Sequence, residues 1–135
     1  MKPALAILGI IACGLAVPAL AIRFGDRQTF VAPPDAVVEG FARQIAERRY
    51  DMATRYLSLS LARTVTAGTL RARFEPQRHA LGDVNRVDAG IDWMNRDRAS
   101  AHAVIDAQRG SVTFRAPLVW DGSVWAIDAL SEEVR

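Results

Sequence analysis

The chain has almost none of the residues from which disulfides, metal sites and redox centres are built. Its 135 residues include one cysteine, Cys13, and two histidines, His79 and His102. A single cysteine excludes an intramolecular disulfide and a cluster of thiolate ligands, and two isolated histidines do not suggest a metal site. The sequence therefore predicts no metal and no cofactor.

Charge is missing from one stretch, Ala4 to Ile22, which Lys2 precedes. As a helix, this stretch would be roughly 28 Å long, close to the hydrocarbon thickness of a bilayer. We therefore predict that residues 1–22 are a membrane anchor or a signal peptide, and that residues 23–33 are a linker to a domain over residues 34–135.

The fate of the apolar segment is open. Ala19-Leu20-Ala21 is a small-x-small site at which a signal peptidase would cut, whereas the length of the run favours a retained transmembrane helix. Ile10-Ile11-Ala12-Cys13 loosely resembles a lipobox, but the residues after Cys13 stay apolar, which favours a cysteine within a membrane helix. In each case the domain that follows is exported.

The first half of the domain has the spacing of helices. Apolar residues recur every three or four positions over residues 35–49 and predict a first helix. A short second helix is predicted over 52–59. A third is predicted over 67–78, with Pro76 weakening its end and Gly82 closing it.

After Asp83 the apolar residues recur at every second position, which is typical of half-buried strands. Val87, Ala89, Ile91 and Trp93 form the first such row. Helices followed by strands predict an α+β fold, in which a helical segment packs on a curved antiparallel sheet of four strands.

Two turns predict how the later strands pair. Asp121-Gly122 is a strong hairpin signal that would set Leu118 opposite Trp125, and Arg115 opposite Asp128 as an ion pair.

A second turn at Arg109-Gly110 would set Ile105 opposite Phe114. The two turns independently place the same side chains on one apolar face, which supports the predicted sheet. These inward residues are Ala101, Ala103, Ile105, Phe114, Ala116, Leu118, Trp120, Trp125 and Ile127.

Two segments resemble the nuclear transport factor two-like superfamily. The run PPDAVVEGFARQIAERRYDMATRYLS (residues 33–58) resembles its first helix, the break after it and its second helix. The run VWDGSVWAIDAL (residues 119–130) is similar to its closing hairpin. The resemblance covers roughly residues 34–130 and implies a cone, in which helices curl around the sheet. It implies no single function, because the superfamily hosts enzymes, ligand carriers and scaffolds.

Within the superfamily, the chain most resembles short bacterial envelope proteins of unknown function. That resemblance implies a place at the bacterial inner membrane with the domain on the periplasmic side, or in the periplasm after cleavage at Ala21.

The predicted interior lacks groups that transfer protons. Enzymes of the superfamily place acids, tyrosines or histidines inside the cone, and a general base must reach the pocket. The predicted inward residues of the sheet cannot act in this way. The acids and the histidine of the strands are predicted to face outward: Asp88, Asp92, Asp106, Asp128 and His102. Tyr50 and Tyr56 are expected to be half-buried with their hydroxyls at the rim. We therefore predict no catalytic residue and no enzymatic activity.

An apolar interior with tryptophans is suited to a small apolar ligand, although tryptophans at such positions are more often simply core. The candidate pocket residues are Phe41, Ile45, Tyr56, Trp93, Phe114, Trp120 and Trp125.

Positive charge is concentrated on the helices. Eight arginines face three carboxylates between Arg43 and Arg78, while the second half of the domain is acidic. This surface suits anionic lipid headgroups, an acidic protein partner or plain solvation. Nucleic acid is not expected, because the domain is exported and the arginines do not alternate with exposed aromatics. The candidate lipid- or partner-facing residues are Arg48, Arg49, Arg55, Arg71 and Arg73.

The sequence thus predicts a non-enzymatic, membrane-anchored, extracytoplasmic interaction or scaffold domain, suited to an accessory role in a membrane complex. The alternatives are a carrier or sensor of a small apolar ligand, and an enzyme of the isomerase or dehydratase type.

Overall fold

The computed structural model describes residues 31–134. Residues Ala32–Arg135 form one compact unit. The predicted anchor or signal peptide, residues 1–22, lies outside the described residues, and so does the predicted linker apart from its last three residues. Within the described part of the chain, no helix is long and apolar enough to cross a membrane.

Helices come first in the chain and strands follow, as predicted for an α+β fold. The helices are α1 (Pro34–Ala46), α2 (Tyr50–Ala53), a 3-10 turn (Thr54–Tyr56), α3 (Leu59–Ala62) and α4 (Ala67–Leu81). The strands are β1 (Val84–Met94), β2 (Arg98–Ala107), β3 (Gly110–Trp120), β4 (Trp125–Ile127) and β5 (Ser131–Val134).

The sheet is antiparallel and has the order β1-β2-β3-β4. Strand β5, which the four-stranded prediction omitted, pairs with the first half of β3, and β4 pairs with its last three residues. The two short strands therefore share one edge of β3.

Helix α1 follows from its sequence. Pro34 occupies the first helical position, where its missing N–H costs nothing, and Asp35 lies in the positively polarised first turn. One face buries Val38, Phe41 and Ile45 against the sheet. The opposite face carries polar side chains such as Glu39 and Arg43, which form an (i, i+4) ion pair.

All three predicted helices differ in extent from the prediction. The first, predicted over 35–49, spans Pro34–Ala46. The predicted second helix, 52–59, is shorter and starts earlier: it spans Tyr50–Ala53 and tightens into a 3-10 turn. The predicted third helix, 67–78, continues through Pro76 to Leu81. It ends at Gly82, as predicted, where φ is 81° and a residue without Cβ is favoured.

A buried arginine joins two of these helix ends. Nε and Nη2 of Arg78 donate hydrogen bonds to the carbonyl oxygen of Ala46 at 3.2 and 3.0 Å, at the end of α1. Nη1 donates to the carbonyl oxygen of Gly82 at 3.0 Å, at the end of α4. The guanidinium thus satisfies carbonyl groups that have no helical partner and carries a positive charge where the helix dipoles favour one.

The register of both hairpins differs from the prediction by two residues. Leu118 pairs with Ile127 rather than Trp125, because residues 121–124 form a four-residue loop. The Asp121 carboxylate holds this loop by accepting from the backbone N–H of Ser123 and Val124, each at 2.9 Å.

Phe114 faces Ala103 rather than Ile105, because the turn between β2 and β3 is Gln108–Arg109. A shift of two residues preserves the alternation of the strand, so the inward side chains are still those predicted. They are buried, except that Trp120 and Trp125 are only partly so.

The predicted ion pair between Arg115 and Asp128 is wrong for the same reason. Arg115 lies opposite Ser131, and Nη1 of Arg115 is 3.8 Å from a carboxylate oxygen of Asp92. The Asp128 carboxylate instead accepts a hydrogen bond from the Ser58 hydroxyl at 2.9 Å.

A matched pair of leucines tests the position of the core. Leu70 of α4 is fully buried and Leu59 of α3 is 84% exposed. We expect Leu70→Ala to lower the free energy of unfolding by about 2–5 kcal/mol, because it leaves a cavity, and Leu59→Ala to change it by less than about 0.5 kcal/mol. Urea denaturation of the two variants measures both effects, and equal losses would contradict this packing.

Candidate functional site

The centre of the cone is filled by aromatic side chains. Phe114 of β3 meets Phe41 of α1 and Phe74 of α4, with ring centroids 5.9 and 5.2 Å apart and the rings nearly perpendicular. This is the edge-to-face arrangement that aromatic rings favour. Phe41, Ile45 and Phe114, three of the seven candidate pocket residues, are almost completely buried here and serve as core.

Trp93 does not lie among the inward residues, and its predicted orientation is wrong. Ile91 pairs with Ala101, but Trp93 pairs with Ser100, so β1 carries one extra residue at Asp92. Such a β-bulge reverses the alternation of the strand beyond it. The Trp93 side chain therefore shares the outer face with Ser100, and Trp93 is 52% exposed.

The remaining three candidates, Tyr56, Trp120 and Trp125, lie near the β3–β4 hairpin. Trp120 pairs with Trp125, and their ring centroids are 5.6 Å apart. Tyr56 packs on α1 at Gly40, where a Cβ atom would lie 2.7 Å from the Tyr56 hydroxyl oxygen. Gly40 is thus the residue that makes room for the ring.

Two shallow clefts open beside Trp125. One, of about 270 Å³, lies between Leu59 of α3 and the hairpin. The other, of about 210 Å³, includes Tyr56 and Ala32. Both clefts share Arg55, Val124 and Trp125 and have mostly apolar walls. The structure therefore places the apolar concavity at the surface of the cone rather than at its centre.

Three of the five candidate arginines lie beside carboxylates. Arg48 lies 3.4 Å from the Glu75 carboxylate, Arg49 lies 3.5 Å from that of Glu47, and Arg73 binds Glu132 of β5.

Arg71 stacks on the ring of Tyr50, with its guanidinium carbon 5.0 Å from the ring centroid. Arg55 alone of the five borders the two clefts. Within residues 31–134 no carboxylate lies within ion-pair distance of either side chain.

Tyr50 forms a polar contact that the sequence did not predict. The Tyr50 side chain is fully buried rather than half-buried. Its hydroxyl donates a hydrogen bond to Glu75 of α4 at 2.7 Å. Burial, the hydrogen bond to Glu75 and the charge of Glu75 raise the pKa of Tyr50 to about 12. The hydroxyl is therefore a fixed donor at neutral pH and is not suited to act as a base.

The acidic residues of the sheet lie mainly on its outer face, as predicted. Asp92 and His102 approach each other there, with Oδ1 and Nδ1 2.7 Å apart, and Asp106 lies near Arg86. Asp128 follows β4 and is held by Ser58. Glu132 of β5 is the exception, because it pairs with the inward Phe114, is largely buried and binds Arg73 and Gln77 of α4.

Groups that could hold a metal ion are not present in the described part of the chain, where no three His, Cys, Asp or Glu side chains come together. The candidate site is therefore a pair of apolar surface clefts and the exposed side chains around them.

The Tyr50–Glu75 contact predicts a loss of stability at high pH. The pKa of Tyr50 is about 12 in the folded protein and 10 as a free group. A pKa raised by folding stabilises the protein below pH 10, and this contribution is lost as the pH rises towards 12. The loss amounts to at most about 3 kcal/mol.

Tyr56→Phe makes Tyr50 the only tyrosine, because the chain has two. Its ultraviolet absorbance should titrate near pH 12 in the folded protein. In Tyr50→Phe this contribution to the pH dependence of unfolding should disappear. A folded-state titration at the ordinary pKa of tyrosine would show that the hydroxyl is not held by Glu75.

No family profile matches the sequence, and no curated protein sequence does. Solved structures do match the fold. A protein of Campylobacter jejuni described as a “putative NTF2-like transpeptidase” superposes with a TM-score of 0.61 at 13% sequence identity, over 73% of this chain and 99% of its own. An NTF2-like protein of unknown function from Silicibacter pomeroyi gives a TM-score of 0.48 at 14% identity, over 74% and 91% of the two chains. The first of these superpositions shows that the domain has the nuclear transport factor two-like fold, as its sequence resemblance implied.

Proposed function

We propose that this protein is a non-enzymatic interaction domain, held at a membrane by its N-terminal segment and exposed on the extracytoplasmic side of a bacterial inner membrane. The observation that carries the proposal is the filled interior, where Phe41, Phe74 and Phe114 occupy the place of a substrate pocket. The membrane attachment rests on the uncharged stretch from Ala4 to Ile22.

The absence of chemistry inside the cone supports a binding role. A catalytic site needs a group of suitable pKa within reach of the substrate. Three buried polar side chains are engaged in structural contacts: Arg78 binds two helix ends, Ser58 caps α3 and Tyr50 binds Glu75. The surface of the domain is therefore the part that remains available to a partner.

Partner binding is proposed for the helical side that carries positive charge. Arg49 is highly exposed, and Arg71 has no carboxylate partner within the described residues. An acidic surface of another envelope protein is complementary to this side, and complementary charge favours both the rate and the selectivity of association.

The second candidate function is that of a carrier of a small apolar ligand, and one observation favours it. The two clefts beside Trp125 have volumes of about 270 and 210 Å³ and are mainly apolar. Both volumes lie below the range of roughly 300–1,000 Å³ that is usual for ligand pockets. We therefore place this function second.

The proposal predicts that the intact protein, solubilised gently from native membranes, copurifies with an acidic envelope protein through its helical side. We expect Arg49→Glu to weaken this association about tenfold, because reversing a charge opposite an acidic surface costs at least about 1.4 kcal/mol. Quantitative mass spectrometry of the copurified partner measures the effect.

Arg115→Glu is the matched control, since the Arg115 side chain on the outer face of the sheet is 61% exposed and that of Arg49 is 62% exposed. The control should retain the partner. A monomer that copurifies with no protein but binds an apolar ligand would contradict the proposal and support the carrier.

A further inference from the structure

The exposed large hydrophobic side chains of the domain gather at one end of the sheet. Strand β1 ends, β2 begins, β3 ends and β4 begins at this end, because the strands are antiparallel. Leu59 of α3 reaches it across the cleft that it shares with Val124 and Trp125. We call this the apolar end and define it by Leu59, Trp93, Met94, Val124 and Trp125.

Four of these five side chains are largely exposed, and Trp125 is partly buried. Leu59 is 84% exposed, Trp93 and Met94 are 52% and 54% exposed, and Val124 is 48% exposed. Four strands about 4.8 Å apart make this end roughly 14 Å wide from β1 to β4. Several exposed apolar side chains at one end of a sheet, on both of its faces, indicate a site of interaction rather than ordinary solvated surface.

All three tryptophans of the chain lie at the apolar end. Trp120 and Trp125 form the last pair before the hairpin loop, and Trp93 is the penultimate residue of β1. Tryptophan is the residue most typical of the boundary between water and the hydrocarbon of a bilayer, because its large ring is apolar and its indole N–H is polar.

Positive charge surrounds the same surface. Arg96 lies in the β1–β2 loop and Arg98 begins β2, and both are exposed. Arg55 borders both clefts. Asp97 and Asp121 are the acids in the loops at this end. The backbone N–H groups of Val124 and Ser123 donate hydrogen bonds to the Asp121 carboxylate and lower its pKa. The carboxylate therefore points toward the backbone of its own loop. The three arginines outnumber the two loop acids, and this excess of positive charge is complementary to anionic headgroups.

The polypeptide also enters the domain at the apolar end. Ala32 lines the cleft that contains Tyr56, Val124 and Trp125. Residues 23–31 are all that separate Ala32 from the end of the uncharged stretch at Ile22. Nine residues span at most about 32 Å even when fully extended. If the uncharged stretch is in a bilayer, a tether of this length allows the apolar end, where the chain enters the domain, to reach the headgroups.

We propose that the apolar end is a membrane-contact surface, which places its tryptophans and Leu59 at the interface of an anionic bilayer and its arginines among the lipid phosphates. This inference rests on the membrane attachment in the proposed function and adds an orientation to it. A lipid surface, rather than a protein partner, is the occupant because the combination of tryptophan, aliphatic and arginine side chains beside a short membrane tether is suited to that interface.

Tryptophan fluorescence tests this contact in the full-length protein, because residues 1–30 contain no tryptophan. The chain is reconstituted into vesicles of phosphatidylglycerol and phosphatidylcholine with brominated or ordinary acyl chains, and flotation of the vesicles measures attachment. We expect bound protein to lose fluorescence in the brominated vesicles.

Two variants make the test specific. Combining Leu59→Ser, Val124→Ser and Arg55→Glu changes only exposed positions, so the fold should persist while the quenching is lost. Asn85 is exposed at the opposite end of β1. With Trp93, Trp120 and Trp125 replaced by phenylalanine, Asn85→Trp should report no quenching.

Each outcome bears on the inference. Protein that floats with the vesicles but is not quenched overturns the contact and leaves the membrane attachment intact, and it would assign the apolar end to a protein partner. Quenching of the tryptophan at residue 85 as strong as that of the native tryptophans also overturns the contact. Protein that does not float overturns both the inference and the membrane attachment.

Discussion

The burial of the inner face of the sheet is the constraint on which the rest of this domain depends. Phe114 lies in the middle of that face and receives Phe41 from α1 and Phe74 from α4. Two helices therefore meet the sheet through one aromatic cluster. Because edge-to-face packing leaves no room between the rings, the same contacts that stabilise the fold also remove the central cavity. The binding role proposed for this domain is therefore assigned to its surface.

The two ends of α1 lie at surface regions of different chemistry. The helix begins near Ala32 and the clefts beside Trp125. It ends at Ala46, whose carbonyl oxygen is bound by Arg78. Arg48 and Arg49 follow at that far end. The apolar end is the region proposed to meet lipid, and the positively charged helical side is the region proposed to meet an acidic partner, so one small domain has separate surfaces for the two roles.

The sequence predicted the fold class and the inward face of the sheet because both depend on local alternation. Both hairpin registers were misplaced by two residues, yet Phe114 and Leu118 still point inward, since side-chain direction repeats with a period of two. The β-bulge at Asp92 was not predictable, because an extra residue is recognised only when both paired strands are known. Its consequence was the wrong orientation of Trp93.

The missed contacts all join residues distant in sequence. Arg78 binds Ala46, and Tyr50 binds Glu75, across separate helices. Strand β5 was missed because Ser131, Glu132 and Glu133 carry no apolar alternation and pair only with an edge of β3. Of the candidate pocket residues, Tyr56 and Trp125 do line concave surface. The clefts arise where the start of α1, the 3-10 turn and α3 approach the β3–β4 hairpin, which no local pattern encodes.

The central claim is that Phe41, Phe74 and Phe114 fill the space beneath the helices, and a crystal of the protein pressurised with xenon tests it most directly. Xenon enters dry apolar cavities even when they are closed to larger ligands. The account predicts no xenon atom among Phe41, Phe74 and Phe114. A xenon atom bound there would reveal a cavity inside the cone and contradict the assignment of binding to the surface.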